Sequence, residues 1–415
     1  MRFSDGQNLR IDLDRLLNRI NALAEIGAID GGGVCRMALS DEDRLGRDLV
    51  VSWMRELGLN ISIDRIGNVI GLRPGIEPGS PVLTGSHIDT VATGGRYDGN
   101  LGVLAGLEVI ETLNEANLST RKPVGVGFFT NEEGARFAPD MMGSGVHQGI
   151  FDCDEMLKVV GVDGSILGEE LKMSGYAGKA PTGNVRADCF IELHIEQGPI
   201  LENEGFEIGA VEGVQGISWT EYRLRGTSNH AGTTPIHLRQ DAGYVAAAIS
   251  VEARRMARQM GDDQVATVGV CELSPGVINV IANGATVSVD LRNPNEEKLQ
   301  AAERSMADFI SEICETEGVS FESRSLVRLK PVNFDSGMIA LVADTAESLG
   351  YKTRRMPSGA GHDAQMFAAN CPTSMIFVPS RNGISHNVAE FTEAEHIRAG
   401  ADVLLQVMLN KSQDA

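Results

Sequence analysis

Gly85-Ser86-His87-Ile88-Asp89-Thr90 directly follows an apolar run at residues 81–84, and that run predicts a short buried strand. His87 and Asp89 would then lie at the carboxyl end of the strand, the edge of an open α/β sheet where ligands bind. Asp98 follows in a glycine-rich loop that lets the backbone approach a small site closely. We therefore expect His87 and Asp98 to begin a metal site, with the Asp89 carboxylate accepting the second ring N–H of His87.

Length and composition restrict the class of protein. The 415 residues allow two domains of about 150 residues or more. The net charge of −21 argues against nucleic acid or an anionic membrane as the main partner. Six cysteines without a Cys-x-x-Cys pair favour reduced thiols in a cytoplasmic protein. No apolar stretch approaches the ~20 residues of a membrane helix, and residues 1–7 lack the apolar segment of a signal peptide.

Hydrophobic periodicity predicts a first domain, residues 1–213 and 329–415, with a mixed, largely parallel sheet and helices on both faces. Its predicted helices cover 13–23, 41–57, 101–116, 336–349, 363–369 and 392–409. Its predicted strands cover 60–64, 69–73, 81–84, 124–130, 189–194 and 373–378, whereas 135–185 reads as irregular.

A second predicted domain, residues 214–328, interrupts the first. Alternating runs predict strands at 217–225, 265–273, 285–292 and 319–326, and longer periodic runs predict helices at 240–260 and 296–317. The order β-α-β-β-α-β is that of a ferredoxin-like insert.

Acidic and imidazole side chains follow several of the predicted strands of the first domain. Besides His87, these are Glu132 and Glu133, then His194, then His386. Together with Asp98 they are oxygen and nitrogen ligands that suit Zn²⁺, Mn²⁺ or Co²⁺. With one ligand from the Glu132/Glu133 pair, the five ligands exceed the needs of one open catalytic zinc, and two divalent metal ions bridged by one carboxylate would use them all.

These motifs resemble those of a known family. They are Gly85-Ser86-His87-Ile88-Asp89-Thr90, Gly94-Gly95-Arg96-Tyr97-Asp98-Gly99, Asn131-Glu132-Glu133-Gly134-Ala135-Arg136-Phe137, Glu192-Leu193-His194-Ile195-Glu196-Gln197-Gly198 and Ser385-His386-Asn387. Together they look like the hydantoinase/carbamoylase branch of the M20 metallopeptidase-like amidohydrolases. The resemblance implies hydrolysis of an N-carbamoyl-L-amino acid to the L-amino acid, CO₂ and NH₃. Allantoate and 3-ureidopropionate, the substrate of β-ureidopropionases, stay open as alternative substrates.

The resemblance also implies a role for each metal-site residue. His87 and His194 would bind one metal ion, and Glu133 and His386 the other, with Asp98 bridging the two. Glu132 would be the general base, a role suited to a carboxylate beside a ligand. Asp89 would support the catalytic centre.

A further set of residues would contact the small ureido acid substrate. The resemblance makes His230 an oxyanion-stabilising group that reaches the site of a partner subunit, which implies a homodimer through the inserted domain. It makes Asn279 and Arg292 the clamp for the substrate carboxylate, and arginine is well suited to bidentate carboxylate binding. Three more residues are expected near the ureido group or in the pocket wall: Gln197, Gly361 and His362.

Two other functions fit the residues less well. The glycine-rich loop at 94–106 lacks the Gly-Lys-Ser/Thr ending of a phosphate-binding P-loop. A catalytically silent binding protein on the same scaffold would lack a ligand or the base, and none is missing from the sequence. The remaining histidines, His147, His237 and His396, are expected to be structural or on the surface.

Overall fold

The computed structural model describes residues 9–261 and 263–414, so the expectation for residues 1–7 lies outside the described residues. The chain divides into two compact units, residues 1–213 with 333–415, and residues 214–332. Within the described ranges, every helix is too short or too polar to span a bilayer.

The elements follow one another along the chain in three groups. The first group is α1 Leu13–Ala24, α2 Asp41–Glu56, β1 Asn60–Ile63, β2 Val69–Arg73, β3 Val82–Ser86, α3 Asn100–Glu115, β4 Val124–Phe128, α4 Met142–His147, α5 Cys153–Met156, α6 Leu167–Ser174, β5 Cys189–Ile195, α7 Ile200–Glu204 and β6 Ile208–Val214. The second is β7 Gly216–Arg225, α8 Ala242–Met260, β8 Val265–Thr267, β9 Cys271–Ser274, β10 Gly284–Asn293, α9 Glu296–Glu317 and β11 Ser320–Leu329. The third is β12 Val332–Asn333, α10 Ser336–Ser348, β13 Thr353–Ser358, α11 Asp363–Phe367, β14 Thr373–Val378 and α12 Ala394–Gln413.

The large sheet has the strand order β1-β2-β4-β3-β5-β14-β6-β12, and β13 also pairs with β6. Strand β3 runs parallel to β4 and β5, and β14 runs parallel to β5. The pairs β1–β2, β2–β4 and β14–β6 are antiparallel, so the sheet is mixed and the predicted mixed α/β class is confirmed. The four parallel strands are buried along their whole length, and their carboxyl ends meet at one edge.

Helix α3 packs against three of these parallel strands, β3, β4 and β5. Its close approach depends on glycine, because a Cβ at Gly102 would lie 2.4 Å from the carbonyl oxygen of Leu193. A Cβ at Gly106 would lie 2.8 Å from the Thr84 methyl. Since α3 begins directly after Asp98 and Gly99, this packing also determines where the Asp98 loop lies.

The second unit contains a smaller antiparallel sheet with the order β11-β7-β10-β8, and β9 also pairs with β10. Every second residue of β10 is buried, as expected for a strand covered on one face. Helices α8 and α9 supply the other half of a core that includes Leu224, Ile249, Val287 and Met306.

Several elements differ from the predictions. The segment 135–185, predicted to be irregular, contains α4, α5 and α6, which have four to eight residues each. Helices of this length are too short to display a clear 3.6-residue period. Strands β6 and β13 were not predicted, and β13 reads Thr-Arg-Arg-Met-Pro-Ser, a polar run with a proline. The predicted strand at 265–273 is two strands, β8 and β9.

Candidate metal centre and active site

A cavity of about 120 Å³ opens at the carboxyl ends of the parallel strands in the first unit. It is lined by one residue near the end of β5, by residues from the loops after β3, β4, β5 and β14, and by residues from the loop before α11. They are His87, Asp98, Glu132, Glu133, Asp140, His194, Gln197, Ala360, Gly361, His362 and His386. Residues that are up to about 300 positions apart in the chain thus share one small space.

One group of potential metal ligands lies at the floor of the cavity. His87, Asp98 and His194 are all buried, and each can offer a ligand atom within 4.8 Å of the others. The His194 Nε2 atom is 3.1 Å from Asp98 Oδ1, and the His87 Nε2 atom is 3.6 Å from the same oxygen.

A second group uses the other oxygen of Asp98. His386 Nε2 lies 3.3 Å from Asp98 Oδ2 and 3.3 Å from Glu133 Oε2. The three residues form another potential ligand group within 4.8 Å. Asp98 therefore presents one carboxylate oxygen to each group, which is the geometry that a bridging ligand requires.

The histidine tautomers follow from their backbone contacts. Nδ1 of His87 is 2.9 Å from the carbonyl oxygen of Asp89, and Nδ1 of His194 is 2.9 Å from the carbonyl oxygen of Ile195. A carbonyl oxygen can only accept, so each Nδ1 carries a proton, and Nε2 is the ring nitrogen that faces Asp98 and is available to a metal ion. This is the state that a metal-binding imidazole needs.

The expected role of the Asp89 side chain is wrong in one respect. Its peptide carbonyl, not its carboxylate, accepts the ring N–H of His87. The carboxylate instead accepts the backbone N–H groups of Glu132 and Glu133, both at 3.3 Å. The Asp89 side chain therefore positions the two-acid loop after β4, because a carboxylate three residues beyond the end of β3 can also reach the neighbouring loop.

The carboxylates around this cavity are closely spaced and poorly neutralised. Burial raises the pKa of Glu132 well above its usual value, although His87 lies 3.4 Å away. Burial and the adjacent Asp98 raise the pKa of Glu133 to about 8. Among the described lining residues there is no lysine or arginine. Oxygen and nitrogen donors that include buried carboxylates, whose ionised form is unfavourable without a nearby cation, fit divalent cations.

Three further predicted residues also line the cavity. Gln197 Nε2 donates to Asp98 Oδ2 at 2.8 Å, and its φ of +59° is strained for a residue with a side chain. Gly361 and the buried His362 form one wall. His362 Nε2 is 2.9 Å from Ser358 Oγ, and its ring packs edge-on against His194 at 4.5 Å between centroids.

The predicted substrate residues of the second unit separate into two places. His230 and Asn279 are exposed and adjacent, because Ala231 N donates to the Asn279 carbonyl at 2.9 Å. Both lie beyond the Gly284 end of β10, whereas Arg292 lies at the opposite end of that strand. About 26 Å of strand separates Gly284 from Arg292 at ~3.3 Å per residue. One copy of the unit therefore does not bring Asn279 and Arg292 together.

The sequence analysis did not identify two glutamates that support the site through hydrogen bonds. Glu390 accepts the backbone N–H of Asp98 at 3.2 Å and the Ser385 hydroxyl at 3.3 Å, so it ties two ligand loops together. The buried Glu192 accepts the Ser86 hydroxyl at 2.6 Å. A buried glutamate in the middle of the apolar β5 was the one available signal, because such a group must find a partner.

Imidazole and carboxylate groups at the carboxyl edge of a mixed α/β sheet define a class of protein, the metal-dependent hydrolases. The chain belongs to peptidase family M20/M25/M40, which matches residues 83–410 and whose members are hydrolytic and metal-dependent.

Relatives of known name cover almost the whole chain. The N-carbamoyl-L-amino-acid amidohydrolase of Rhizobium meliloti is 39% identical over 409 residues, which is 98% of each chain. The allantoate amidohydrolase of Bacillus subtilis is 34% identical over 392 residues, 94% of this chain and 95% of that protein. The crystal structure of an amidase of the hydantoinase/carbamoylase family from Burkholderia multivorans has a TM-score of 0.96, at 43% identity, and covers 98% of this chain and 99% of that chain.

Proposed function

We propose that the protein hydrolyses the carbamoyl C–N bond of an N-carbamoyl-L-amino acid, giving the L-amino acid, CO₂ and NH₃. The observation that carries this proposal is the division of the Asp98 carboxylate between two ligand groups, one oxygen facing His194 and the other facing His386. Relatives at similar identity bear the names of carbamoyl-amino-acid and allantoate amidohydrolases, which supports a ureido substrate.

Two divalent ions would be held by the residues already described. His87 and His194 would hold one, Glu133 and His386 the other, and Asp98 both. Such ions polarise a carbonyl group and make water a nucleophile at neutral pH. Zn²⁺, Mn²⁺ and Co²⁺ all suit this set of ligands.

Glu132 would act as the general base. Its carboxylate lies beside the ligands, and its position is determined by the Asp89 carboxylate, which accepts its backbone N–H. It would take a proton from the attacking water and deliver it to the amino acid nitrogen as the C–N bond breaks. The carbamic acid released would decompose to CO₂ and NH₃. Gln197 would orient the ureido group from the cavity wall.

The substrate carboxylate would be bound with the help of a second copy of the chain. We propose that the second unit, with its order β11-β7-β10-β8, is a ferredoxin-like insert through which two chains form a homodimer. The separation of Asn279 from Arg292 along β10 is several times the length of a small ureido acid. Arg292 of one chain would therefore act with His230 and Asn279 of the other. We further propose a cytoplasmic location, which the six free cysteines support.

Metal removal tests the chemistry. The protein is treated with a chelator, then Mn²⁺, Co²⁺ or Zn²⁺ is restored, and ammonia release is followed with N-carbamoyl amino acids, 3-ureidopropionate and allantoate. We expect metal-dependent turnover that is greatest with an N-carbamoyl-L-amino acid. Glu132→Gln is the control, with kcat lower by about 10²–10⁴-fold and an unchanged metal content. Absence of metal-dependent turnover on the whole panel would contradict the proposal.

Mixing two inactive variants tests the composite site. His230→Ala and Arg292→Ala are each expected to be inactive alone. If the two residues come from different chains, a mixed dimer has one intact site, and random exchange restores about a quarter of the wild-type activity. If both residues come from the same chain, no activity returns. Each variant is also mixed with itself as the control for exchange.

A second candidate substrate is allantoate. The observation in its favour is that two of the named relatives, from Bacillus subtilis and Escherichia coli, are allantoate amidohydrolases at 34% identity. The same substrate panel decides between the two, since a kcat/KM for allantoate above that of every N-carbamoyl amino acid would identify it as the preferred substrate.

A further inference from the structure

One carboxylate in the cavity has no part in the chemistry described above. Asp140 lines the cavity together with Asp98, Glu132 and Glu133, but it belongs to none of the potential ligand groups in the described residues. Unlike the buried floor of the cavity, Asp140 and His386 are exposed members of the lining. They therefore belong to its rim, where the distal part of a substrate would pass.

The backbone around Asp140 is held firmly. Met141 N donates to the Glu132 carbonyl at 2.7 Å, and the Asn131 side-chain amide donates to the Pro139 carbonyl at 3.1 Å. The loop from 131 to 141 begins and ends with residues of positive φ, +57° at Asn131 and +47° at Met141. Strain of this kind is retained where surrounding contacts impose it, and it is frequent at binding sites.

The charge of Asp140 is not compensated within the protein. In the described ranges, no lysine, arginine or histidine lies within 4.0 Å of its carboxylate, although most surface acids near it in sequence, such as Asp163, are paired. Partial burial raises the pKa of Asp140. A carboxylate in this position is stabilised when a ligand places a cation next to it.

We propose that Asp140 determines specificity by selecting ureido acids whose side chain carries a cation, an ammonium or a guanidinium group. This inference rests on the proposed function and extends it from the ureido group to the side chain. The scissile carbamoyl group would lie at the floor, beside His87 and His194, and the cationic end of the side chain would reach the Asp140 carboxylate at the rim.

The test compares N-carbamoyl-L-lysine with N-carbamoyl-L-norleucine, which has a similar chain without the ammonium group. We expect kcat/KM of the wild type to favour the lysine derivative and Asp140→Asn to lower that preference by about fivefold, the upper range for a partly exposed ion pair. Asp140→Glu keeps the charge and is expected to retain most of the preference. Asp344→Asn, the same change at an exposed position of α10 outside the cavity lining, is the matched control.

The proposal is overturned if the ratio of kcat/KM for the lysine derivative to kcat/KM for the norleucine derivative is the same in the wild type and in Asp140→Asn. If neither derivative is hydrolysed, the proposed function is judged by the whole substrate panel described above. The inference is then judged by calorimetric binding of the same two compounds. A binding preference for the lysine derivative that falls in Asp140→Asn supports it, and an unchanged preference refutes it.

Discussion

The buried Arg36 offers the sharpest test of how the metal loops are supported. Its Nε donates to the Ile88 carbonyl at 2.8 Å, next to His87, and its Nη2 donates to Asn100 Oδ1 at 2.8 Å, just after Asp98. Its Nη1 donates to two carbonyls at the end of α1, those of Leu23 at 3.0 Å and Ile26 at 2.8 Å. The side chain is completely buried.

The magnitude of the effect of Arg36→Met can be worked out from these contacts. Three acceptors lose their donor, the carbonyls of Ile26 and Ile88 and the Asn100 side chain, at about 2 kcal/mol each, or about 6 kcal/mol in total. The Leu23 carbonyl keeps the backbone N–H of Ile26. Burial lowers the pKa of Arg36 from 12.5 to about 10. At 1.36 kcal/mol per pKa unit, removal of the buried charge is therefore expected to stabilise the folded protein by about 3 kcal/mol. The expected net loss in the free energy of unfolding is about 3 kcal/mol.

Thermal and denaturant unfolding of the metal-free protein measure this loss. Arg44→Met is the matched control, because the partners of Arg44 among residues 9–261 and 263–414 are the exposed Asp41 and Asp48, and the change should alter stability by less than about 1 kcal/mol. Arg36→Lys retains the charge and part of the bonding, so we expect a folded protein with weaker metal binding. If the free energy of unfolding of Arg36→Met is within about 1 kcal/mol of the wild-type value, as we expect for Arg44→Met, the reasoning is refuted.

Two further predictions concern the site and the substrate clamp. Gly99→Ala places a Cβ 2.4 Å from the His87 ring at a φ of +66°, so metal content per chain is expected to fall at least tenfold; Gly164→Ala, also at positive φ but in open space, is the control and should keep its metal. A full metal complement in Gly99→Ala would contradict the geometry. Asp290→Asn removes the carboxylate that accepts from Arg292 Nε at 3.1 Å and Nη2 at 3.0 Å. Steady-state kinetics should then show KM raised about tenfold with kcat little changed, and an unchanged KM would count against a positioning role.

Much of the fold could be predicted because its long elements carry a local signal. The period-2 pattern of β10, the buried runs of β4 and β14, and the helical periodicity of α1 each extend over enough residues to be recognised. The short helices between β4 and β5 carry no such signal, and β13 is too polar to be distinguished from a loop.

The candidate site was predictable to the extent that parallel strands share an edge. His87, His194 and His386 follow strands β3, β5 and β14 or end them, so their convergence follows once those strands are adjacent and parallel. The supports were not predictable, because Arg36 contacts Asn100 across 64 positions and Glu390 contacts Asp98 across 292. No local pattern distinguishes these residues from ordinary charged ones.

The amino-acid sequence alone determined which kinds of side chain stand at the carboxyl ends of the strands, and hence a metal-dependent chemistry. Only the tertiary structure decided that the Asp89 carboxylate binds the acid loop while its carbonyl holds His87, and that one chain separates Asn279 from Arg292. The physical reason is that side-chain type is local information. A hydrogen bond, in contrast, exists only within a few tenths of an ångström of about 2.9 Å, and those positions are set by packing across the whole chain.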